Sequence, residues 1–192
     1  RKKEIGGKRA NLNGADLSKA DLTGANLELA RLEGANLRET NLQKANLNNA
    51  RLEGADLQKA NLKDSNLCGA DLRKANLRGA NLQQADLTGA DLYYADLEGA
   101  DLSDADVKAA GLFSANLKNS NLNGVIFVAS NLKEANLSGA NLQGADLSVV
   151  YLENANLENA ELTNADFEDT DLQGVDLSKC KNLDNAKNLQ KH

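Results

Sequence analysis

Residues 70–106 read ADLRKANLRGANLQQADLTGADLYYADLEGADLSDAD. The unit is five residues long: a small residue, Asp or Asn, Leu, and two variable positions. The frame runs from Ala10 to Leu177 without a slip. Over that span 31 of 34 central positions are Leu, the exceptions being Val107, Phe127 and Phe167. Of the 34 positions just before them, 28 are Asp or Asn, so the unit has one apolar side and one polar side throughout. A fixed self-similar period of this kind dictates architecture.

A helix is excluded. On a 3.6-residue helix each step of five advances by about 140° beyond a full turn, which spreads Leu over every face. Asp and Asn are also poor helix-interior residues. A straight strand fails for another reason. The small residue and Leu are two apart and point the same way, but Leu and the next small residue are three apart and point oppositely unless the chain bends between them. A bend after every Leu returns both to one interior and leaves the other three positions in water. The second variable position is Gly twelve times, from Gly14 to Gly174, and often Asn or Lys elsewhere. Gly and Asn tolerate the backbone angles of tight turns. The chain is therefore read as short extended sides joined by corners.

The A-[DN]-L-x-x repeat over residues 10–180 resembles the pentapeptide-repeat proteins. The resemblance implies an all-β fold, a right-handed quadrilateral parallel β-helix with four units per coil and Leu and Ala inward. That makes about 8.5 coils of about 20 residues, a rod about 40 Å long at a strand spacing of about 4.8 Å. Two features of the sequence agree with four units per coil. Arg31-Leu-Glu-Gly-Ala35 recurs as Arg51-Leu-Glu-Gly-Ala55, and all three departures from Leu fall on one face of such a coil, with small Val107 beneath large Phe127. The bore holds side chains and no ligand, and stability is expected mostly from contacts between neighbouring coils. The lack of Pro suits a backbone whose amides pair between coils.

Residues 1–9, RKKEIGGKR, precede the register and are read as an N-terminal tail or partial cap, with Ile5 over the first Leu ring. Residues 181–192 are read as a short helical cap, because Cys180, Leu183, Ala186 and Leu189 stand three apart. The sequence shows no signal peptide and does not begin with Met, and is read as starting at a processing or fragment boundary. Its longest apolar run, Val125–Ala129, is too short to span a bilayer, so no membrane insertion is expected. Lone thiols at Cys68, outward, and Cys180, inward, lie too far apart to pair and weakly favour a reducing compartment, the cytoplasm. Periplasm or thylakoid lumen would follow a removed targeting segment.

Net charge is −6 but uneven. Residues 1–85 carry 15 Lys and Arg against 10 Asp and Glu, and residues 86–192 carry 7 against 18. Such asymmetry bears on association. Arg31 and Arg51 replace Asp or Asn in one column, which Asp71 and Asp91 continue as a solvated ladder or an electrostatic seam. The most acidic stretch holds Asp86, Asp91, Asp96, Glu98, Asp101, Asp104 and Asp106. Some members of the family it resembles, the quinolone-resistance and gyrase-inhibiting ones, imitate duplex DNA with such a band. They are more Phe-rich in the centre and often carry projecting loops, which this sequence lacks. Such proteins are abundant in cyanobacteria.

Tyr93, Tyr94, Phe113 and Tyr151 occupy outward positions of one face, with Ile126, Val128 and Val149 on the face before it. Exposed aromatics beside aliphatic residues form a candidate partner patch. Catalytic, cofactor and metal sites are not expected. The one His is His192, two distant Cys make no zinc set, and the Gly residues form no phosphate-binding loop. Direct nucleic-acid binding lacks its basic footprint. The leading expectation is a non-enzymatic scaffold with a flat surface for an unidentified protein partner, as a monomer or a dimer through an end coil. The alternative is a DNA-mimicking protein that inhibits or protects DNA gyrase, a type II topoisomerase.

Overall fold

The computed structural model describes residues 10–189. The expected tail at residues 1–9 and the last three residues lie outside it. The chain winds as a right-handed quadrilateral β-helix. Each residue just before a central position pairs in parallel with the one twenty positions later, from Asn11 with Arg31 to Tyr151 with Asp171 and again at Glu161 with Lys181. One lap is thus four pentads: lap one is 10–29, lap two 30–49, and so on to lap nine. Face one comprises 10–14 and every twentieth residue from these; faces two, three and four start at 15, 20 and 25.

One pentad explains the composition of all. Ala55 N–H closes a turn onto Leu52 O (2.9 Å), and Asp56 N–H donates back to Ala35 O (2.9 Å). Leu57 and Lys59 donate forward to Asn76 O (2.7 Å) and Arg78 O (3.0 Å). The fifth donor, Gln58 N–H, is answered by the Asp56 side chain, Oδ1, at 3.1 Å. A buried or half-buried amide needs a partner. A short side-chain oxygen two residues back reaches this one in nearly every pentad, which is why Asp or Asn precedes Leu; Glu161 does the same for Thr163, and Asn13 serves Glu33 from the lap before. Every N–H is used, so Pro has no place. Many Asn amides also donate to the Asx one lap earlier, as Asn61 to Asn41 (3.0 Å) and Asn116 to Asp96 (2.9 Å).

Corner residues take positive φ, between 52° and 74°, the signature of a type II turn's second central residue. Gly adopts this freely, whereas other L-residues lose roughly 1–2 kcal/mol. The bore is closed: from Leu27 to Ala165 the central and small positions are buried, with Phe127 fully so.

At the end, where a short helical or 3-10-like cap is expected, the chain continues into the ninth lap. The only helical element among the described residues is the three-residue 3-10 helix Leu183–Asn185. It absorbs one extra residue at a corner, after which Lys187 pairs with Asp166 at a spacing of 21. Leu172, Leu177, Leu183 and Leu189 remain half-buried there, and the other end leaves Leu12 and Leu17 likewise.

Candidate protein-binding face

The structure joins three of the patch residues in direct contact. Phe113 lies between two tyrosines, its ring centroid 5.9 Å from Tyr93 and 5.7 Å from Tyr94, the latter edge-on at 88°. These are the distances and angles aromatic pairs prefer. Tyr94 remains 55% exposed, so the cluster is a surface feature and not a core satellite. Tyr151 lies two laps beyond Phe113 on the same face and is 47% exposed. Lys133 Nζ stands 5.8 Å over its ring while donating to Glu153 at 2.7 Å. Val149 projects from the corner just before Tyr151. Ile126 and Val128 are half-buried on face four, around that corner from the aromatics.

Two residues absent from the sequence reading belong here. Gly111 provides the floor on which the Tyr93 ring lies, since a Cβ there would collide with that ring. Lys133 extends the patch toward Tyr151. The sequence signal for Gly111 was its place: a glycine where Asp or Asn normally caps the turn. Ile126 and Tyr151 also occupy that capping column. Three positions of the patch thus give up the side-chain oxygen that serves the following amide. Two more, Tyr94 and Val149, are held at φ 61° and 59°, where a bulky or β-branched residue is strained.

The acidic stretch is placed differently. Asp86 and Asp106 are on face four, Asp91 on face one, Asp96 and Glu98 on face two, and Asp101 and Asp104 on face three. They encircle the rod. Several are engaged: Arg78 bridges Asp96 and Glu98, Lys108 holds Asp106 at 2.8 Å, and Gln83 donates to Asp101 at 2.8 Å. A shallow groove beside them follows from Gly79 and Gly99, and the Arg78 guanidinium in it is already matched by Asp96 and Glu98.

On face one the Arg31–Asp91 column is cross-linked by charge. Glu33 meets Arg51 at 3.0 Å and Arg31 at 3.6 Å, and Arg73 meets Asp71 at 2.7 Å and Glu53 at 3.1 Å. The hydrogen bond from Arg73, opposed by burial, holds the Asp71 carboxyl below its ordinary value. Cys180 faces inward as expected, its thiol donating to Leu157 O at 3.3 Å and pushed up to about 11 by burial. Among the described residues no group of three or more His, Cys, Asp or Glu side chains is placed to hold a metal ion. No described helix is long and apolar enough to cross a membrane.

A filled four-sided tube with one aromatic-bearing face defines a repeat scaffold. The profile of pentapeptide repeats matches in eight copies over residues 8–38, 35–73, 70–108, 112–148 and 150–181, and the chain belongs to that family. Among solved structures it is similar to HetL, a pentapeptide repeat protein involved in heterocyst differentiation regulation in Nostoc sp. strain PCC 7120. Identity is 34% over 90% of this chain and 89% of that one, with a TM-score of 0.34. A thylakoid-lumen pentapeptide repeat protein of Arabidopsis thaliana is 32% identical over 57% of this chain and 72% of that one, with a TM-score of 0.46. QnrB1, a plasmid-mediated fluoroquinolone resistance protein, shares the fold at 20% identity, covering 93% of this chain and 89% of its own, with a TM-score of 0.55. None of the curated proteins matches.

Proposed function

We propose that the protein is a non-catalytic rod whose first face, from lap five to lap eight, binds a protein. The observation that carries this is the exposed aromatic cluster of Tyr93, Tyr94 and Phe113, with Tyr151 beyond it, on an otherwise polar rod. Gly111, Ile126 and Tyr151 forgo the turn-capping oxygen, and Tyr94 and Val149 strain their corners, all within one patch that also exposes apolar surface. Residues that break a repeat's own rules without a folding gain are candidates for function. The spread and pairing of the acidic residues around all four faces favour this reading over imitation of DNA.

The test is retention of a polypeptide, either another chain or an untagged copy of this one, by the tagged protein. Tyr94→Ala/Phe113→Ala/Tyr151→Ala is expected to abolish retention while keeping the fold, judged by circular dichroism. Undiminished retention by the folded variant overturns the proposal, as does no retention by the parent even with the untagged copy supplied at about 500 µM. In a gyrase supercoiling assay the parent is expected to give no inhibition.

A further inference from the structure

We propose that the polypeptide bound by this face is a second copy of the chain, running antiparallel about a two-fold axis that crosses face one at Phe113. The inference rests on the reading of face one as a protein-binding surface and adds the partner's identity.

The rod's own repeat makes face one a ruler. Every column advances by one residue per lap, twenty positions on. A second copy presents the same lap spacing, so side chains meet in register along the whole strip, which an unrelated surface does not guarantee. A two-fold axis lying across the face, perpendicular to the rod, sets each residue opposite the one in its own column equally far beyond lap six. Phe113 then meets its own copy. Tyr93 meets Lys133, Arg73 meets Glu153, and Arg51 meets Asp171. At the flanking corner the projecting Val149 meets Gly69, which has no side chain. Over laps three to nine no two like charges of face one oppose each other. An aromatic contact at the axis, flanked by a cation–π pair and then by ion pairs, follows the usual order from interface core to rim.

The register is specific. Moving the axis half a lap toward the N-terminus opposes Arg73 to Lys133 and Glu53 to Glu153. Moving it half a lap the other way opposes Asp71 to Asp171. The orientation is decided by the charge gradient. Residues 10–85 carry ten Lys and Arg against nine Asp and Glu, whereas residues 86–189 carry six against eighteen. Lap five carries six Asp and Glu against one Lys, and lap eight six against none. Parallel rods in register would set each of these laps against itself; antiparallel rods set lap five against lap seven (two against one) and lap eight against lap four (two against three).

Seven facing laps make a strip about 34 Å long, and a five-residue side is roughly 10 Å wide, so both partners together bury on the order of 700–800 Å². That is small for a specific interface, so the dimer is expected to populate at roughly 100 µM and to dissociate with salt.

Sedimentation equilibrium across about 5–500 µM protein tests this at low and high salt. A monomer–dimer equilibrium weakened by salt is expected. Arg73→Glu and Glu153→Arg should each shift it at least about tenfold toward monomer, and the two combined should restore it. In a Cys68→Ser/Cys180→Ser background, mixing Arg73→Cys with Glu153→Cys should give an intermolecular disulfide on oxidation. A monomer at every concentration overturns the inference, as does a dimer indifferent to the charge swap or lacking the 73–153 cross-link. If the rod is monomeric yet retains another protein through Phe113, the face remains a binding surface and only the second copy is dismissed.

Discussion

Tyr93 lies on Gly111 of the next lap: a Cβ built at Gly111 would come within 3.0 Å of Tyr93 Cδ1 and closer still to Cε1. Gly111 takes the column where Asp or Asn would cap the Phe113 amide, so two demands compete at one position. In the parent, Gly111→Asn should destabilise by about 1–3 kcal/mol, because the ring must be displaced from a fixed backbone. With Tyr93→Ser the clash is gone and the new oxygen caps the turn. There Gly111→Asn should stabilise by about 0.5–1 kcal/mol. Urea denaturation of the four proteins of this cycle measures the change of sign.

The contrast with the corner glycines shows what sequence can carry. Gly54 or Gly99 is legible because it recurs at the position after a variable residue, where φ is positive in every lap. Likewise a bend in every pentad follows from Leu and Ala at alternating spacings of two and three, while four pentads to the lap is what the family resemblance implies. Gly111 makes no such recurrence. Its role depends on a ring eighteen residues away on the preceding lap, and only the stacking of laps brings the two together. The acidic stretch fails for the same reason: consecutive along the chain, its members are dispersed by four corners. At the end of the rod, spacing by three reads as a helical or 3-10 turn, and a 3-10 helix stands there, but its place within the lap was not legible. One extra residue in the corner, at Leu183–Asn185, is enough to carry the lap on to Lys187.

Val149 combines exposure with a φ of 59°, a conformation in which a β-branched side chain meets the backbone. Val149→Gly should therefore raise stability by about 1 kcal/mol, and the melting temperature by about 2–4 °C for a chain of this size. If the face is functional, the same substitution should weaken whatever it binds. Differential scanning calorimetry alongside the retention assay reads both effects.

Asp166 stacks on Asp146, one lap before it, with like charge on like charge. Asp146 Oδ1 already serves Ser148, yet an amide at position 166 has the geometry by which Asn116 donates to Asp96. Asp166→Asn keeps the oxygen that accepts from Glu168 N–H (3.1 Å) and adds a donor. A gain of about 0.5–1 kcal/mol is expected from the added bond and the relieved repulsion. The part due to repulsion should shrink between low and high salt, so melting temperatures at two ionic strengths separate the two.

Asp71 is one of the described carboxylates on the rod whose pKa is lowered, and the one whose hydrogen-bond donor is a cation. Its pKa is lowered first by the hydrogen bond from Arg73, with burial acting against it. A folded-state pKa below the unfolded one means a contribution present above the unfolded value of about 3.9 and lost as pH falls through the folded value. Arg73→Gln should move the Asp71 titration upward, read by carboxyl NMR. The stability gap between parent and variant, under about 1 kcal/mol for so exposed a pair, should be full at neutral pH and narrow in acid below the ordinary carboxylate range.

Val107 and Phe127 form successive rungs of face four, Val107 N–H donating to Ile126 O at 2.8 Å, and both side chains are fully buried. The extra bulk of Phe127 is therefore accommodated by the smaller neighbour beneath it. The turn beside them is long, with Ala110 N–H reaching Val107 O at 3.4 Å, as at Leu147, where Thr170 donates to the same carbonyl as Val150 N–H. Ser130 bridges the gap, donating to Val107 O at 2.6 Å and accepting from Ala110 N–H at 3.2 Å. Val107→Leu alone should overpack the bore and destabilise by about 1–3 kcal/mol. Phe127→Leu alone should leave a void and destabilise by a comparable amount, about 1–3 kcal/mol. Together they restore the Leu-on-Leu stacking of the other faces, so the double variant should lie closer to the parent than either single one. Ser130→Ala, which leaves Ala110 N–H and Val107 O only the long bond between them, should destabilise the parent by about 0.5–1.5 kcal/mol and the double variant by less if that turn closes there. Additive effects across this cycle, measured by urea denaturation, would mean that the size matching of positions 107 and 127 is incidental and that the serine answers some other local demand.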